Sequence, residues 1–583
     1  MPIDPITLEV VRNWLMMAAK EVRITVERTA YSVVIYECVD FSCGIFDAEA
    51  NLIAETSGLP IFLANLGDAI KTTYETIGRE NLEAGDTIFC NDPYCGGGTH
   101  CPDCTCLYPV FYKNKLVGFT GFRGHTLDMG GKAAGGWYSD TTEVFQEGVR
   151  FPPVKLYMRG KLNRSVYDII KHNTRVPDMV LGDIRAMVAA TRTGGDRIIK
   201  LIDKYGLETV QECIKEIMDH GESMARRAVR KIPEGTYSAE YILDGDGSDD
   251  SPISERLRLK VTVKVKGDEM TIDFTGTSPQ SKGPMNVPKP STISSARYAF
   301  KLITTPFLPN NEGCFRPLNI IIPKGSILDP VSPAACAMWP TPTTSIPDLI
   351  MEALASAIPD KIRAGHFGDS MADFIYGIDP RTGKYYVLAE PVAGGYGGKP
   401  FEDGESCLHS MDLGDTYNVP MEVLEVNYPL MVERWELIED SGGAGKHRGG
   451  LGTRKDYRIL GEEAGLTVTA DRAVYTPPRG LFGAKSGRPN ISVIYRTDGT
   501  VERWRKVTDL RLKNGDVISF CCGGGGGYGN PLERDPGLVR SDVVNGYVSL
   551  KSTREDYRVI IDPKTYEVDR EATKKLREEL EEK

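Results

Sequence analysis

The feature that most constrains the fold of this chain is a change of hydrophobic period near residue 231. Upstream, apolar side chains recur at helical spacing over 178–193 and 195–230, with a break near Lys204-Tyr205-Gly206. After Ile232-Pro233-Glu234-Gly235, apolar and polar residues alternate as in Leu257–Val265, which is typical of strands. Because both periods occupy long stretches, we expect an α+β fold of mixed helices and sheets.

The length of 583 residues suggests three or four units, at about 150 residues per domain. We place one boundary at the change of period and a second near Ser441, where strand-and-turn sequence resumes. The expected regions are an α/β N-terminal region over 1–230, a central mixed α/β region over 231–440, and a β-rich region with a terminal helix over 441–583.

Local patterns predict several individual elements. Asp4-Pro5 has the form of an N-cap followed by a first-turn proline, and it predicts a long helix over 5–28. Residues 38–55 favour a β-hairpin. Leu107–Phe119 reads as one strand, and Asp348–Ala357 reads as a helix that follows a Pro- and Ala-rich stretch.

Charge and composition exclude several classes of protein. The formal charge is -11, from 70 basic and 81 acidic residues, which argues against a nucleic-acid binder. No window of about 18 apolar residues predicts a membrane span, and the first residues do not resemble a signal peptide. The thirteen cysteines are therefore expected to be reduced thiols of a cytoplasmic protein.

Two polar, glycine-rich loops concentrate the side chains that can carry chemistry. His100 and Asp103 lie three apart across a proline-containing turn, and His125 and Asp128 repeat the same spacing at the end of another predicted strand. Two imidazoles and carboxylates form a mixed nitrogen and oxygen ligand set. Such a set suits Zn²⁺, Mn²⁺ or Fe²⁺ better than Mg²⁺ or Ca²⁺. Surface residues with satisfied hydrogen bonds are the alternative.

Cysteines and glycines near these loops offer competing interpretations. Cys101-Pro102-Asp103-Cys104 has zinc-site spacing but no convincing second pair, so buried thiols are the default. The run Gly523–Gly527 could cradle a phosphate, yet it lacks the Gly-Lys-Ser/Thr ending of a P-loop, and Pro531 follows it. A flexible or tightly turned loop is the favoured interpretation of this run.

Several longer motifs, taken in order along nearly the whole chain, resemble the hydantoinase B/oxoprolinase family. The motifs are Asp4-Pro5-Ile6-Thr7-Leu8-Glu9-Val10, Asp40-Phe41-Ser42-Cys43, Asn91-Asp92-Pro93-Tyr94, Thr99-His100-x-Pro102-Asp103, Gly124-His125, Gly182-Asp183-Ile184-Arg185-Ala186, Asp440-Ser441-Gly442-Gly443 and Gly524-Gly525-Gly526-Gly527-Tyr528-Gly529. Members of this family are subunits or halves of ATP-dependent hydantoin and lactam hydrolases, or metal-binding subunits of acetone and acetophenone carboxylases.

The resemblance implies a divalent metal, Zn or Mn and possibly Fe, held in the N-terminal region. Matched residue by residue, the implied ligands are Asp40, His100, Asp103 and His125. Asp128 then moves from a candidate ligand to a supporting residue or base, and Asp128 or Glu147 would take the proton from an attacking water.

The resemblance also implies a hetero-oligomer in which ATP is bound by a hydantoinase A-like ATPase partner, which phosphorylates the substrate. The first expectation is a cyclic-amide hydrolase acting on a hydantoin, lactam or 5-oxoproline type of ring. A ketone carboxylase that uses bicarbonate is the alternative, and a non-catalytic scaffold for the ATPase is a third. Nucleic acid and membrane are not expected partners.

Overall fold

A computed structural model describes residues 3–63, 66–245 and 256–581. Helices and mostly antiparallel sheets are mixed along the chain, so the predicted α+β fold is confirmed. In the described ranges the helices are α1 Pro5–Thr29, α2 Val33–Tyr36, α3 Pro60–Leu63, α4 Leu66–Ile77, α5 Arg164–His172, α6 Pro177–Tyr205, α7 Leu207–Val229, α8 Lys289–Thr304, α9 Pro340–Leu354, α10 Met421–Asn427, α11 Pro536–Val544, α12 Leu550–Glu555 and α13 Arg570–Glu581.

The strands form four sheets within the same ranges. They are β1 Phe41–Asp47, β2 Leu52–Glu55, β3 Thr87–Cys90, β4 Asp103–Tyr112, β5 Lys115–His125, β6 Val154–Met158, β7 Lys161–Leu162, β8 Gly235–Ile242, β9 Arg258–Lys266, β10 Glu269–Asp273, β11 Leu318–Ile321, β12 Ala372–Ile378, β13 Tyr385–Pro391, β14 Leu430–Leu437, β15 Thr453–Ile459, β16 Glu463–Thr469, β17 Ile491–Tyr495, β18 Val501–Trp504, β19 Lys506–Lys513 and β20 Val517–Cys521.

The N-terminal sheet has seven antiparallel strands in the order β2-β1-β5-β4-β3-β6-β7. Helices α1 and α6 pack on each other, and α6 lies against β4 and β5. The N-cap of α1 is formed as predicted, because the carboxylate of Asp4 accepts a hydrogen bond from the amide of Thr7 at 2.9 Å. The candidate site lies at the end of the β4–β5 hairpin that is farthest from its turn.

The predicted single strand over 107–119 is wrong, because a tight turn divides it into β4 and β5. Lys113 and Asn114 occupy the turn with φ of 47° and 63°. Two consecutive left-handed residues are what a two-residue hairpin turn requires, and asparagine tolerates this conformation well. The strand propensity on both sides conceals the turn in the sequence.

Helix boundaries differ from the predictions for steric reasons. Helix α6 continues through Gly194 and Gly195, where the sequence analysis placed a division, and ends at the predicted break before Gly206. Added Cβ atoms at these two glycines would approach Val22 and Tyr108 within 2.6 and 2.7 Å, so the glycines let α6 lie close to α1 and β4. Helix α9 begins earlier than predicted, in the Pro-rich stretch. Pro340 and Pro342 fit its first turn, whereas Pro347 lies inside the helix.

The remaining sheets cover the centre and the C-terminal part. Their orders are β11-β10-β9-β8, β13-β12-β16-β19 and β14-β15-β20-β17-β18. One large cluster of buried apolar residues extends through all three predicted regions, from Val22 to Cys522. The division at 231 and 441 therefore stays a prediction. No helix in the described ranges has both the length and the apolar character needed to cross a bilayer.

The run Gly523–Gly527 is not the flexible or tightly turned loop that was predicted, because it is buried and hydrogen bonded along its length. The amides of Gly524 and Gly527 donate to carbonyls in segment 485–488, and those at 525 and 528 donate to segment 447–450. Neighbours that repeat every three residues are typical of the extended threefold helix of polyglycine.

Most of the glycines in this bundle leave no room for a Cβ atom. We call the bundle the glycine lattice and define it as residues 394–398, 441–452, 485–488 and 523–529. A Cβ atom on Gly525 would lie 1.9 Å from the carbonyl oxygen of Tyr396. Since the backbones meet this closely, only glycine fits there. The lattice joins loops that extend from the sheets of the C-terminal part.

Candidate metal centre

The register of the β4–β5 hairpin builds the centre of the site. Asp103, the first residue of β4, pairs directly with His125, the last residue of β5. On the other side of β5, the amide of His125 donates to the carbonyl of Asp40 at 3.0 Å, just before β1 begins. His100 lies in the turn that leads into β4. Three chain segments therefore deliver the predicted ligands to one end of the sheet.

Three of the four predicted ligands converge. One ligand atom from each of His100, Asp103 and His125 lies within 4.8 Å of the other two, and no other such group of acidic, histidine or cysteine side chains occurs among the residues that the structure describes. The Nε2 atom of His100 is 3.5 Å from Oδ1 of Asp103. All three side chains are buried.

The inward-facing atoms of this group are left without partners. Nε2 of His100, Oδ1 of Asp103 and both ring nitrogens of His125 are buried and make no hydrogen bond within the described ranges. Such atoms cost free energy when unpaired, so native proteins rarely leave several of them together. A divalent cation bound between them would satisfy all three residues at once.

The outward-facing atoms are held by the chain. Nδ1 of His100 lies 3.1 Å from the carbonyl oxygen of Gly136, which can accept its proton. Thr99 donates its hydroxyl proton to Oδ2 of Asp103. With these atoms occupied, Nε2 of His100 and Oδ1 of Asp103 are the atoms available for a ligand.

Electrostatics agree with a cation at this point. Burial, followed by the positive charge that His100 would carry, lowers the pKa of His125 to about 3, so its imidazole is neutral at pH 7. Burial disfavours ionisation of Asp103, but His100 and His125 outweigh it and bring the pKa of Asp103 below its usual value. A neutral imidazole beside a carboxylate is the state in which both act as metal ligands.

Asp40, which only the family resemblance suggested, lies beside this group. Its Oδ1 atom is buried and has no hydrogen-bond partner in the described part of the chain. Burial and then the charge of Asp103 raise the pKa of Asp40 well above its usual value. Asp40 and His125 line a cavity of about 30 Å³, which is large enough for one water molecule.

An aromatic wall encloses the site, and the sequence analysis missed it. The rings of Trp137 and Trp339 lie 5.9 and 6.1 Å from that of His100, and Phe374 lies 5.9 Å from His125. Both indole Nε1 atoms are buried and unpaired among the described residues. The wall comes from segments far apart in sequence, so no local spacing could have indicated it.

The two predicted proton acceptors have different surroundings. Asp128 forms an ion pair with Arg175, with 2.8 Å between Oδ1 and Nη1, and also accepts the Arg175 amide proton. Glu147 accepts hydrogen bonds from the amide of Ala337 at 2.8 Å and from the hydroxyl of Thr141 at 2.9 Å. Burial raises the pKa of Glu147 to about 7, and a positive charge on His100 would lower it.

The cysteines near His100 do not join the converging group. Cys101 and Cys104 are both fully buried. Burial raises the pKa of each thiol well above its usual value, which disfavours the thiolate that binds zinc. These residues pack as small apolar side chains, as the default interpretation held.

Comparisons with known proteins agree with the motifs. The model of the Hydantoinase B/oxoprolinase family matches residues 4–531. A protein of Pseudomonas sp. strain NS671 that is named as a putative D-/L-hydantoinase subunit is 36% identical over 592 residues, which cover 99% of this chain and 98% of that protein.

Solved structures share the fold. The ATP-dependent caprolactamase from Pseudomonas jessenii matches with a TM-score of 0.92 and 32% identity, over 99% of this chain and 100% of that chain. A nucleotide-free acetone carboxylase matches with a TM-score of 0.90 over 99% of this chain and 83% of that chain; at 19% identity this shows the fold alone. The resemblance found in the sequence is thus confirmed, and the chain is an enzyme of the hydantoinase B/oxoprolinase family.

Proposed function

We propose that this chain is the metal-binding subunit of an ATP-dependent cyclic-amide hydrolase. The observation that carries the proposal is the buried convergence of unpaired ligand atoms from His100, Asp103 and His125. Asp40 is the proposed fourth ligand. The mixed nitrogen and oxygen set fits Zn²⁺ or Mn²⁺, and also Fe²⁺. A metal bound there would lower the pKa of a water molecule and polarise a substrate oxygen.

The chain's own residues would complete the reaction. Trp137, Trp339 and Phe374 would exclude bulk water from the metal, and the unpaired indole N–H groups could donate to an oxygen atom bound there. Glu147 is the better proposed base for the attacking water, because a pKa near 7 suits proton transfer at neutral pH. Asp128 is already neutralised by Arg175 and would position the loop that follows β5.

ATP is proposed to bind a hydantoinase A-like partner in a hetero-oligomer. The related hydantoinase protein is named as one subunit of an enzyme, and the related caprolactamase is ATP-dependent. The glycine run that might have cradled a nucleotide instead uses its amides in hydrogen bonds to other segments of the chain. Thirteen free cysteines fit a reducing compartment, and we place the assembly in the cytoplasm.

The metal content of purified wild-type chain and of the His100→Ala/Asp103→Ala variant tests the site. About one Zn, Mn or Fe per wild-type chain is expected, with less than about a tenth of that in the variant, since two of the ligands are removed. His172→Ala is the matched control, because His172 is exposed on α5 and remote in sequence from the group. Folded wild type that holds no metal after purification without chelators would overturn the metal centre.

Turnover with the partner subunit tests the reaction. Wild type, Glu147→Gln and Asp128→Asn are assayed with ATP on lactams and hydantoins, and on ketones with bicarbonate. We expect the kcat of ring opening to fall by about a hundredfold or more in Glu147→Gln. A carboxylated ketone as the only product would replace the hydrolase by a carboxylase. If the assembly kept full activity with a metal-free chain, the chain would instead be a non-catalytic scaffold for the ATPase.

A further inference from the structure

A second cavity lies away from the metal centre. It has a volume of about 490 Å³, within the range of small-molecule sites. Helices α1, α7 and α8, strand β2 and the loop 305–311 enclose it. At its mouth stand Phe307, which is 99% exposed, and Leu302, which is 45% exposed.

A layer of apolar side chains separates this cavity from the metal centre. Pro60 and Met411 line the large cavity, whereas Leu413 lines the small cavity beside Asp40 and His125. Leu413 belongs to a buried cluster with Leu59, Ile61, Phe62 and Trp339. The cavity is therefore a distinct site that has the metal centre behind its inner wall.

The polar groups of the cavity point to a ligand with an N–H group. Oδ1 of Asn310 is buried and accepts no hydrogen bond from the described residues. The amide of Asn310 donates to Oε2 of Glu55 at 3.2 Å, so the two side chains present acceptor oxygens side by side. The rest of the lining is largely apolar, including Leu15, Ile53 and Met411.

The charges of the cavity favour a neutral ligand. Lys301 and Arg12 also line it and would repel a cation. An anion would have to compete for these donors, since Lys301 already donates to the carbonyl of Leu308 at 2.7 Å and to Thr305, and Nη1 of Arg12 is paired with Glu9. Burial raises the pKa of Glu55 to about 7, which brings its carboxyl group towards the neutral form.

We propose that this cavity is a second small-molecule site, which binds an uncharged, largely apolar molecule through an amide N–H held by Asn310 and Glu55. The proposal goes beyond the function proposed above, because binding here requires neither a metal nor the partner subunit. A cyclic amide meets both requirements, with a hydrocarbon ring for the apolar wall and an N–H for the paired acceptors.

Equilibrium binding of ε-caprolactam to the purified full chain, followed by ligand-observed NMR titration, tests the proposal. Saturable binding is expected in wild type and, unchanged within about twofold, in His100→Ala/Asp103→Ala. N-methylcaprolactam, which lacks the N–H, should bind about tenfold more weakly, since Oδ1 of Asn310 is then left unpaired. The zwitterion 6-aminohexanoate should not compete.

Two variants assign the binding to the cavity. In Asn310→Ala the preference for caprolactam over its N-methyl analogue should fall below about threefold. Leu302→Trp, at the exposed mouth, should weaken both ligands by blocking access. No saturable binding to wild type, equal binding of the two lactams, or loss of binding in the metal-centre variant would each overturn the proposal. If His100→Ala/Asp103→Ala loses the metal but still binds the lactam, this site is separate from the metal centre.

Discussion

Burial shifts the pKa of several single side chains of this protein towards the neutral form. His125 and His409 have pKa values lowered to about 3 and about 4, mainly by burial, and Glu147 has a pKa raised to about 7 for the same reason. A buried charge is costly to desolvate, so burial favours the neutral form of each of these groups. The pH dependence of stability is therefore a sum of opposing contributions from buried histidines and buried acids.

His409 allows one of these contributions to be isolated. An imidazole has a pKa near 6.5 in an unfolded chain, so between about pH 6.5 and 4 the unfolded state binds more protons than the folded one. The contribution of His409 to the free energy of unfolding therefore falls by roughly 1 kcal/mol per pH unit as the pH is lowered through that window. His409→Gln, which cannot titrate, should reduce the slope of the free energy of unfolding against pH by this amount.

The measurement is the urea midpoint of wild type and variant at several pH values between 5 and 7. His172→Gln serves as the control, since water reaches this imidazole in the folded chain as well as in the unfolded one. A wild-type profile that runs parallel to that of His409→Gln would contradict the prediction.

Two aspartates with the same spacing show how far the sequence predicts the role of a single residue. Asp103 and Asp128 each follow a histidine by three residues, yet Asp103 joins the converging group and Asp128 pairs with Arg175. Arg175 is far from Asp128 in sequence, so no local pattern reveals the difference. Asp40 carries no local metal signal at all and was indicated only by the family motif.

At the scale of elements, the β4–β5 hairpin determines whether the site exists. Its register sets Asp103 opposite His125, and a slip by one residue would turn one of them to the other face of the sheet. The sequence predicts the strands on each side of the site but merges the hairpin into one strand. The turn residues Lys113 and Asn114 show no glycine, which is the usual signal.

The conformation of Asn114 should matter for stability. Asn114→Val places a β-branched side chain at φ 63°, which is expected to cost about 1–2 kcal/mol. Lys115→Val, at the next position and in a strand conformation, is the control and should be close to neutral. Thermal unfolding of the two variants compares the effects. Equal loss of stability in both would show that the turn is not strained.

For the whole molecule, the glycine lattice is the structure that ties distant segments of the C-terminal half together. Sequence patterns predict the long helices and some of the strands, because their periods are local. They do not predict the lattice, since polyglycine has no hydrophobic period and its partners come from separate parts of the chain. Composition shows only that glycine is abundant, with 61 residues.

Gly525 should be highly sensitive to a single added methyl group. A Cβ atom there meets the Tyr396 carbonyl at 1.9 Å, so Gly525→Ala must displace backbone and is expected to cost more than about 3 kcal/mol. Gly461→Ala is the control, because its Cβ would have no neighbour closer than 3.7 Å. The yield of folded chain and its melting temperature are compared. A Gly525→Ala variant as stable as the control would show that the strands of the lattice can separate at little cost.

The lattice also bears on how this gene can vary. Every glycine codon begins with the same two bases, and a change in either one either introduces a residue that carries a Cβ atom or ends the chain. Third-base changes are silent. Across the run Gly523–Gly527, DNA variation should therefore be confined almost entirely to synonymous sites, whereas exposed surface codons remain free to drift.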